Sequence, residues 1–132
     1  MSEIRTKLNK FDLEERLIRF AVAIVNLVSS MPDSRPAIHL GVPLLRSGTS
    51  PALNYGEAQS GESRKDFIHK LQIVLKELRE SHVCLKIIFR SQLYNSKEQM
   101  EVLLAESNEL ISIFVKSVET ARKNDKLQVI TS

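Results

Sequence analysis

Tryptophan is absent from this chain, cysteine occurs once, and glycine and proline are scarce. The lone Cys84 excludes an intrachain disulfide and fits a reducing, cytoplasmic setting. The four Gly and four Pro all fall between Pro32 and Gly61, so most of the chain carries no helix breaker. With only five Phe and two Tyr, the core must be built from Leu, Ile and Val. The N-terminal MSEIRTKLNKF has no apolar signal-peptide core. The longest apolar run, residues 20–25, is far below the roughly 18 residues that span a membrane, so no membrane partner is expected. The net charge of +3 permits nucleic-acid binding without requiring it.

The 132 residues suffice for one domain, able to bury roughly two-thirds of its unfolded surface without metal or disulfide staples. Periodicity then divides the chain into an all-α pattern. Asp12 and Glu15 form a capping-box pattern that opens a first helix, expected over residues 12–31. Leu13, Leu17, Phe20, Ile24, Leu27 and Met31 line its core face, while Ile18, Val22 and Val25 lie on a further apolar face. Pro32 and Pro36 end that helix and begin the next. Gly61 suits a helix terminus, and Ser63 with Asp66 suits the next start. Phe67, Leu71, Val74, Leu78, Leu85 and Ile88 step along a third helix over residues 64–94, with Ser81 the single polar break. Beside them runs a row of Ile68, Leu75, His82 and Phe89. Asn95 and Ser96 make a turn, and Ser96 with Gln99 opens a fourth helix over 96–122, leaving 124–132 as a frayed tail.

Three long helices with short links predict antiparallel neighbours, but three rods leave these wide apolar stripes uncovered. Residues 37–60 must supply the remaining helix, although RSGTSPALNYGE within them reads at first like a loop. On a helix, Arg46, Ser50, Asn54 and Glu57 fall on one face as a structural polar network, with Arg46 expected to pair with Glu57 or a neighbouring chain. Gly48, Ala52 and Gly56 form a stripe of small residues suited to close helix packing. Pro51 removes one backbone hydrogen bond and should bend the helix, with Ser47 or Ser50 near enough to serve a freed group.

These residues carry a resemblance. LLRSGTS, then Asn54 and Glu57, then SRKDFIHKLQIVLKELRES, resemble the bacterial four-helix bundle proteins of the 23S rRNA intervening-sequence, or S23, family over roughly residues 10–122. Family members commonly have Glu-Gly where this chain has Glu57-Ala58, and many have a small or aliphatic residue in place of Pro51. The resemblance implies an up-down-up-down bundle assembling as a homopentameric ring, with no established activity. It also implies a distant likeness to the accessory proteins of diversity-generating retroelements, which are basic and bind a reverse transcriptase and nucleic acid.

Sites of catalysis are not apparent. Asp66 and His69 have the i, i+3 spacing of half a di-iron centre, but Arg79 precedes His82 and Pro36 precedes His39 at that spacing, so no second half exists and no metal is expected. Gly48–Thr49–Ser50–Pro51–Ala52 approaches a nucleophile elbow without the strand it needs. No phosphate-binding glycine loop occurs, and no cofactor is expected. Cys84 reads as a packed thiol.

Charge gives the one pointer to a partner. Between Arg64 and Arg90, seven basic residues face three acidic ones, a local balance of +4. Arg64, Lys65, Lys76, Arg79, Lys86 and Arg90 are the candidate nucleic-acid-binding residues, against the alternative of an ordinary solvated helix face without interleaved aromatics. The expected function is a non-enzymatic, self-assembling cytoplasmic scaffold or adaptor, with the wide apolar faces of helices one and three driving assembly. Its second partner is RNA, DNA or a protein; the alternative is a purely structural or protein-only module.

Overall fold

The computed structural model describes the backbone of residues 2–60 and 63–131 and the side chains of 12–60 and 63–127. Four helices account for nearly all of it: α1 (Ser2–Ser30), α2 (Arg35–Gln59), α3 (Arg64–Arg90) and α4 (Lys97–Thr131). Each neighbours the next in chain order, and α4 returns to α1 by the thinnest contact of the four. Among the described residues there is no strand, and no helix is long and apolar enough to cross a membrane.

The core follows the periodic stripes. Leu17, Phe20, Ile24 and Leu27 of α1 meet Leu44 and Tyr55 of α2, Leu71, Val74, Leu78, Leu85 and Ile88 of α3, and Leu110 and Phe114 of α4 in one buried cluster. Tyr55 meets Phe114 edge to face, with ring centroids 5.6 Å apart. Burial of each such side chain favours folding by about 1.5–3 kcal/mol, so this cluster dominates the stability of the bundle. Ser81, the polar break in the α3 stripe, is fully buried. Its hydroxyl lies 3.0 Å from Ser47 Oγ of α2 and donates within its own helix to the Glu77 carbonyl at 3.0 Å. The break is thus a polar contact inside the helix interface, satisfied on both sides.

Helix ends depart most from the sequence reading. The helix α1 starts at Ser2, so Asp12 is an exposed mid-helix residue and caps nothing; residues 2–11 contain no breaker to stop the helix earlier. The start of α2 is capped by Ser34, which accepts the Ala37 N–H, with Pro36 in the first turn where its missing N–H costs nothing. Gly61 lies outside the described residues. Ser63 caps α3 as expected by accepting the Asp66 N–H.

The end of α3 comes at Arg90 rather than at residue 94. Gln92 takes φ 56°, the Leu93 N–H reaches the Ile88 carbonyl, and the Gln92 N–H reaches that of Phe89. This is a Schellman termination with glutamine where glycine is usual, which is why composition does not reveal it. Ser96 then caps α4 by accepting the Gln99 N–H, but the Gln99 side chain accepts the Tyr94 hydroxyl instead of closing the capping box. Beyond it α4 runs to Thr131, so the expected frayed tail is helical: no Gly or Pro follows Gly61 to end it.

RSGTSPALNYGE is helix throughout, and α2 continues unbroken past both Pro43 and Pro51. Its glycines behave unequally. Gly48 is buried, and a Cβ there would lie 2.7 Å from Ile24 of α1. Ala52 is half-buried against the core. Gly56, expected in the same packing stripe, has nothing within 4 Å of a Cβ. Steps of four residues advance the helix by about 40°, so two steps turn Gly56 away from α1, whereas Gly41, seven residues before Gly48, stays in register within about 20°. Indeed a Cβ on Gly41 would meet Val28 of α1 at 3.4 Å. The close approach between α1 and α2 therefore rests on Gly41 and Gly48.

This contrast fixes a prediction. The β-branched Ile24 cannot move aside cheaply, so Gly48→Leu should destabilise by about 1–3 kcal/mol. Gly56→Ala should stabilise by about 0.4–1 kcal/mol, because the site is helical and open. Denaturant midpoints of the two variants should shift in opposite directions.

Candidate functional site

Two of the four polar residues on the α2 face, Arg46 and Glu57, reach across to α3. Arg46 forks onto two carboxylates of α3, reaching Glu77 Oε2 through Nη1 at 2.8 Å and Glu80 through Nη2. Their i, i+3 spacing puts both on one side of α3 within reach of one guanidinium. Glu77 is only 9 % exposed, so without Arg46 it would be a nearly buried charge with no partner. The two carboxylates push the Arg46 guanidinium further above its usual range, Glu77 most of all.

Asn54 donates to both the backbone carbonyl and the hydroxyl of Ser50, one turn back. Glu57 accepts from Lys70 of α3. The expected pairing of Arg46 with Glu57 is therefore corrected: the four residues share a face, but Arg46 and Glu57 each find a separate partner across the interface. The partners Glu77, Glu80 and Lys70 sit one helix away, and helical periodicity within α2 could not place them.

Elsewhere, Arg16 of α1 holds Glu106 at 2.6 Å and Glu109 at 3.3 Å on α4, closing the thin α1–α4 seam. His82, read as part of an apolar row, is half-buried, with Nδ1 2.7 Å from the hydroxyl of buried Ser107 on α4. The Ser107 hydroxyl also lies 3.0 Å from the Leu104 carbonyl one turn back on α4, so it bridges His82 to the α4 backbone. Burial lowers the His82 pKa below the usual imidazole value, and Lys86 lowers it further. Cys84 is buried with its thiol against the Leu40 carbonyl, and burial raises its pKa, as for an unreactive thiol. Among the described residues, no cluster of His, Cys, Asp or Glu is placed to hold a metal ion.

The outer side of α3 is cationic. At about 100° per residue, Lys65, Lys76, Arg79, Lys86 and Arg90 fall within an arc of roughly 80°, with Arg64 beside it. All six are exposed, and among the described residues none is in an ion pair within 4.0 Å. Glu80, four residues after Lys76 and positioned to neutralise it, is engaged by Arg46. Glu77 and Glu80 are thus turned to α2, and these six cations face solvent. Exposed Val83 interrupts the stripe, and exposed Ile87 borders it.

Residues 9–116 match the family model described as 23S rRNA-intervening sequence protein. Among solved structures, the chain is similar to a protein of unknown function from the S23 ribosomal protein family of Bacteroides thetaiotaomicron. The two are 34 % identical, with a TM-score of 0.73, over 80 % of this chain and 97 % of that one. No curated protein matches the chain.

Two stability measurements test these assignments. A histidine whose pKa is lowered by folding is protonated first in the unfolded chain, so stability is full above the ordinary pKa of 6.5 and falls as pH drops through and below it. The melting temperature should decline between neutral pH and pH ~5.5 more steeply in the natural chain than in His82→Gln. Arg46→Met should lower the melting temperature, and adding Glu77→Gln should restore part of the loss, because the double variant removes the stranded charge. Additive losses would show that the fork is not what holds Glu77.

Proposed function

This chain belongs to the 23S rRNA-intervening sequence protein family, and from that premise we propose a non-enzymatic, self-assembling cytoplasmic scaffold whose α3 face binds structured nucleic acid. The observation that carries the proposal is the division of charge on α3. A solvated helix face ordinarily balances its cations with i, i+4 carboxylates. Here those carboxylates are held by α2, leaving a run of cations along one side of a 27-residue helix. Phosphate backbones are the ligand for such a stripe, and their contacts release counterions. The reading stands on this charge, not on likeness to retroelement accessory proteins.

An antiparallel up-down-up-down course is part of the proposal. As residue numbers rise along α2 through Leu40, Ser47 and Glu57, their partners on α3 fall through Cys84, Ser81 and Lys70. Gly41 and Gly48 likewise meet Val28 and Ile24 in reversed order.

Self-assembly is supported by apolar surface outside the core. Ile18, Val22 and Val25 of α1 and Ile38, Val42, Leu45 and Leu53 of α2 are all exposed, in two stripes on neighbouring helices. A stripe of this extent on a globular bundle marks an interaction surface. It lies on α1 and α2, whereas the sequence reading placed the surplus apolar face on helices one and three. The pentamer number comes from the family resemblance. A protein-only module is the second reading, favoured by exposed Val83 within the basic stripe and Ile87 at its border.

Light scattering should return about five times the 15.0 kDa chain mass, and Val22→Glu with Val42→Glu should reduce it to the monomer. Fluorescence anisotropy with a labelled RNA hairpin and a DNA duplex should show binding that weakens steeply with salt. Each phosphate contact removed by Lys76→Gln, Arg79→Gln or Lys86→Gln should lower the log–log salt slope by about 0.9. Absence of binding at low salt would leave the protein-only module as the function.

A further inference from the structure

The basic stripe of α3 has no aromatic side chain along its length, but the fold supplies aromatics at its end. Where α3 stops, the chain turns through residues 91–96, and a cleft of about 570 Å³ opens between the last turn of α3 and the first turn of α4. That volume is in the range of small-ligand sites. Its apolar lining is buried Met100 with half-buried Phe89 and Tyr94. The Tyr94 hydroxyl is tied to Gln99 at 2.6 Å, which fixes the ring.

The charged residues lining the cleft are both cations. Arg90 is the last member of the α3 stripe, and Lys97 opens α4. Among the described residues Arg90 has no ion-pair partner within 4.0 Å, and Lys97 meets Glu101 only at 4.0 Å, with both side chains exposed. Two exposed carboxamides, Gln92 and Asn95, complete the lining, and neither side chain is hydrogen-bonded to protein among the described residues. Gln92 has a left-handed backbone, φ 56°, and an exposed side chain.

We propose that this cleft binds an unpaired nucleotide, with the base against Tyr94 and the phosphate between Arg90 and Lys97. Each part of such a ligand has a complementary group. An aromatic face takes a base of any identity. Guanidinium and ammonium take the phosphate. Free carboxamides offer donors and acceptors to a base edge. An acidic or purely apolar ligand would leave one of these sets unused. The nucleotide comes either free in solution or as the single-stranded end of a nucleic acid lying along α3. The second source rests on the α3 reading above; the first does not.

Full-length protein in its assembled state, adenosine 5′-monophosphate and inorganic phosphate test the site directly. Tyr55 is buried, so the tyrosine fluorescence that responds to added ligand is that of Tyr94. Adenosine monophosphate should quench it, and Lys97→Gln should weaken the response. In the second arm, a labelled RNA duplex with a short adenine overhang should bind at least about five-fold more tightly than its blunt counterpart, the low end of the effect of stacking one base. Tyr94→Leu and Lys97→Gln should erase that preference and leave blunt-duplex affinity unchanged, while Tyr94→Phe, which keeps the ring, should retain it. Quenching by the free mononucleotide without overhang preference assigns the cleft to free nucleotides. Duplex binding with neither quenching nor overhang preference overturns the cleft and leaves the α3 stripe standing. Quenching without any duplex binding does the reverse. An equal response to inorganic phosphate alone would overturn the assignment to a nucleotide.

Discussion

The fork of Arg46 onto Glu77 and Glu80 is the interaction on which the rest of the molecule's surface depends. It joins α2, the one helix with interior proline and glycine, to α3. It satisfies a carboxylate that is nearly buried. It also decides where charge is left over. Were Glu80 free to pair with Lys76 one turn away, the outside of α3 would be a mixed face of the ordinary kind. Because α2 claims both carboxylates, the exposed side of α3 keeps its cations without compensation. A contact that looks purely structural thus creates the feature from which a function is inferred.

The weakness of α2 explains why its packing matters. Each interior glycine disfavours a helix by about 1 kcal/mol and each interior proline by about 3 kcal/mol relative to alanine. With Gly41, Gly48 and Gly56, and with Pro43 and Pro51 in its interior, this segment would not be helical alone. Tertiary contacts supply what propensity withholds. Gly41 and Gly48 bring the α2 backbone against Val28 and Ile24, Leu44 and Tyr55 reach the core, and Ser47 meets Ser81. The same glycines that weaken the helix locally make possible the close approach that holds it. Gly56, where a Cβ would meet nothing within 4 Å, keeps the local cost and gains no close contact.

The fold was legible because apolar periodicity is a property of long segments. Leu71, Val74, Leu78, Leu85 and Ile88 mark α3 with steps that no strand could share, and a single serine does not blur them. What sequence reading missed depends on single residues or on neighbours. Gln92 ends α3 in a conformation usually given to glycine, so no composition signal announces the stop. Asp12 has the chemistry of a cap, but a cap requires the helix to begin there, and nothing before it prevents the helix from starting at Ser2. For the candidate site, the face holding Arg46, Ser50, Asn54 and Glu57 follows from a rotation of 100° per residue. The partners do not, because they depend on how α3 lies against α2. Rows spaced by four drift around the helix, which is why Gly48, Ala52 and Gly56 looked like one stripe and Gly41 escaped notice.

Placement of the surplus surfaces then constrains how such a protein can work. The exposed apolar stripes lie on α1 and α2, and the cationic stripe lies on α3, on the far side of the Arg46 fork. Copies that cover their α1 and α2 faces against one another would leave every α3 stripe open to solvent. Assembly and ligand binding would then not compete for surface. Each stripe alone would offer few phosphate contacts, and at physiological salt a handful of them gives weak attachment. Repetition around a closed assembly converts the second and later contacts into intramolecular ones, which raises overall affinity without any new interaction. The cleft at the α3–α4 turn would be repeated in the same way at the end of every stripe, so a strand end captured in one copy would lie beside the cations of that copy and within the field of its neighbours.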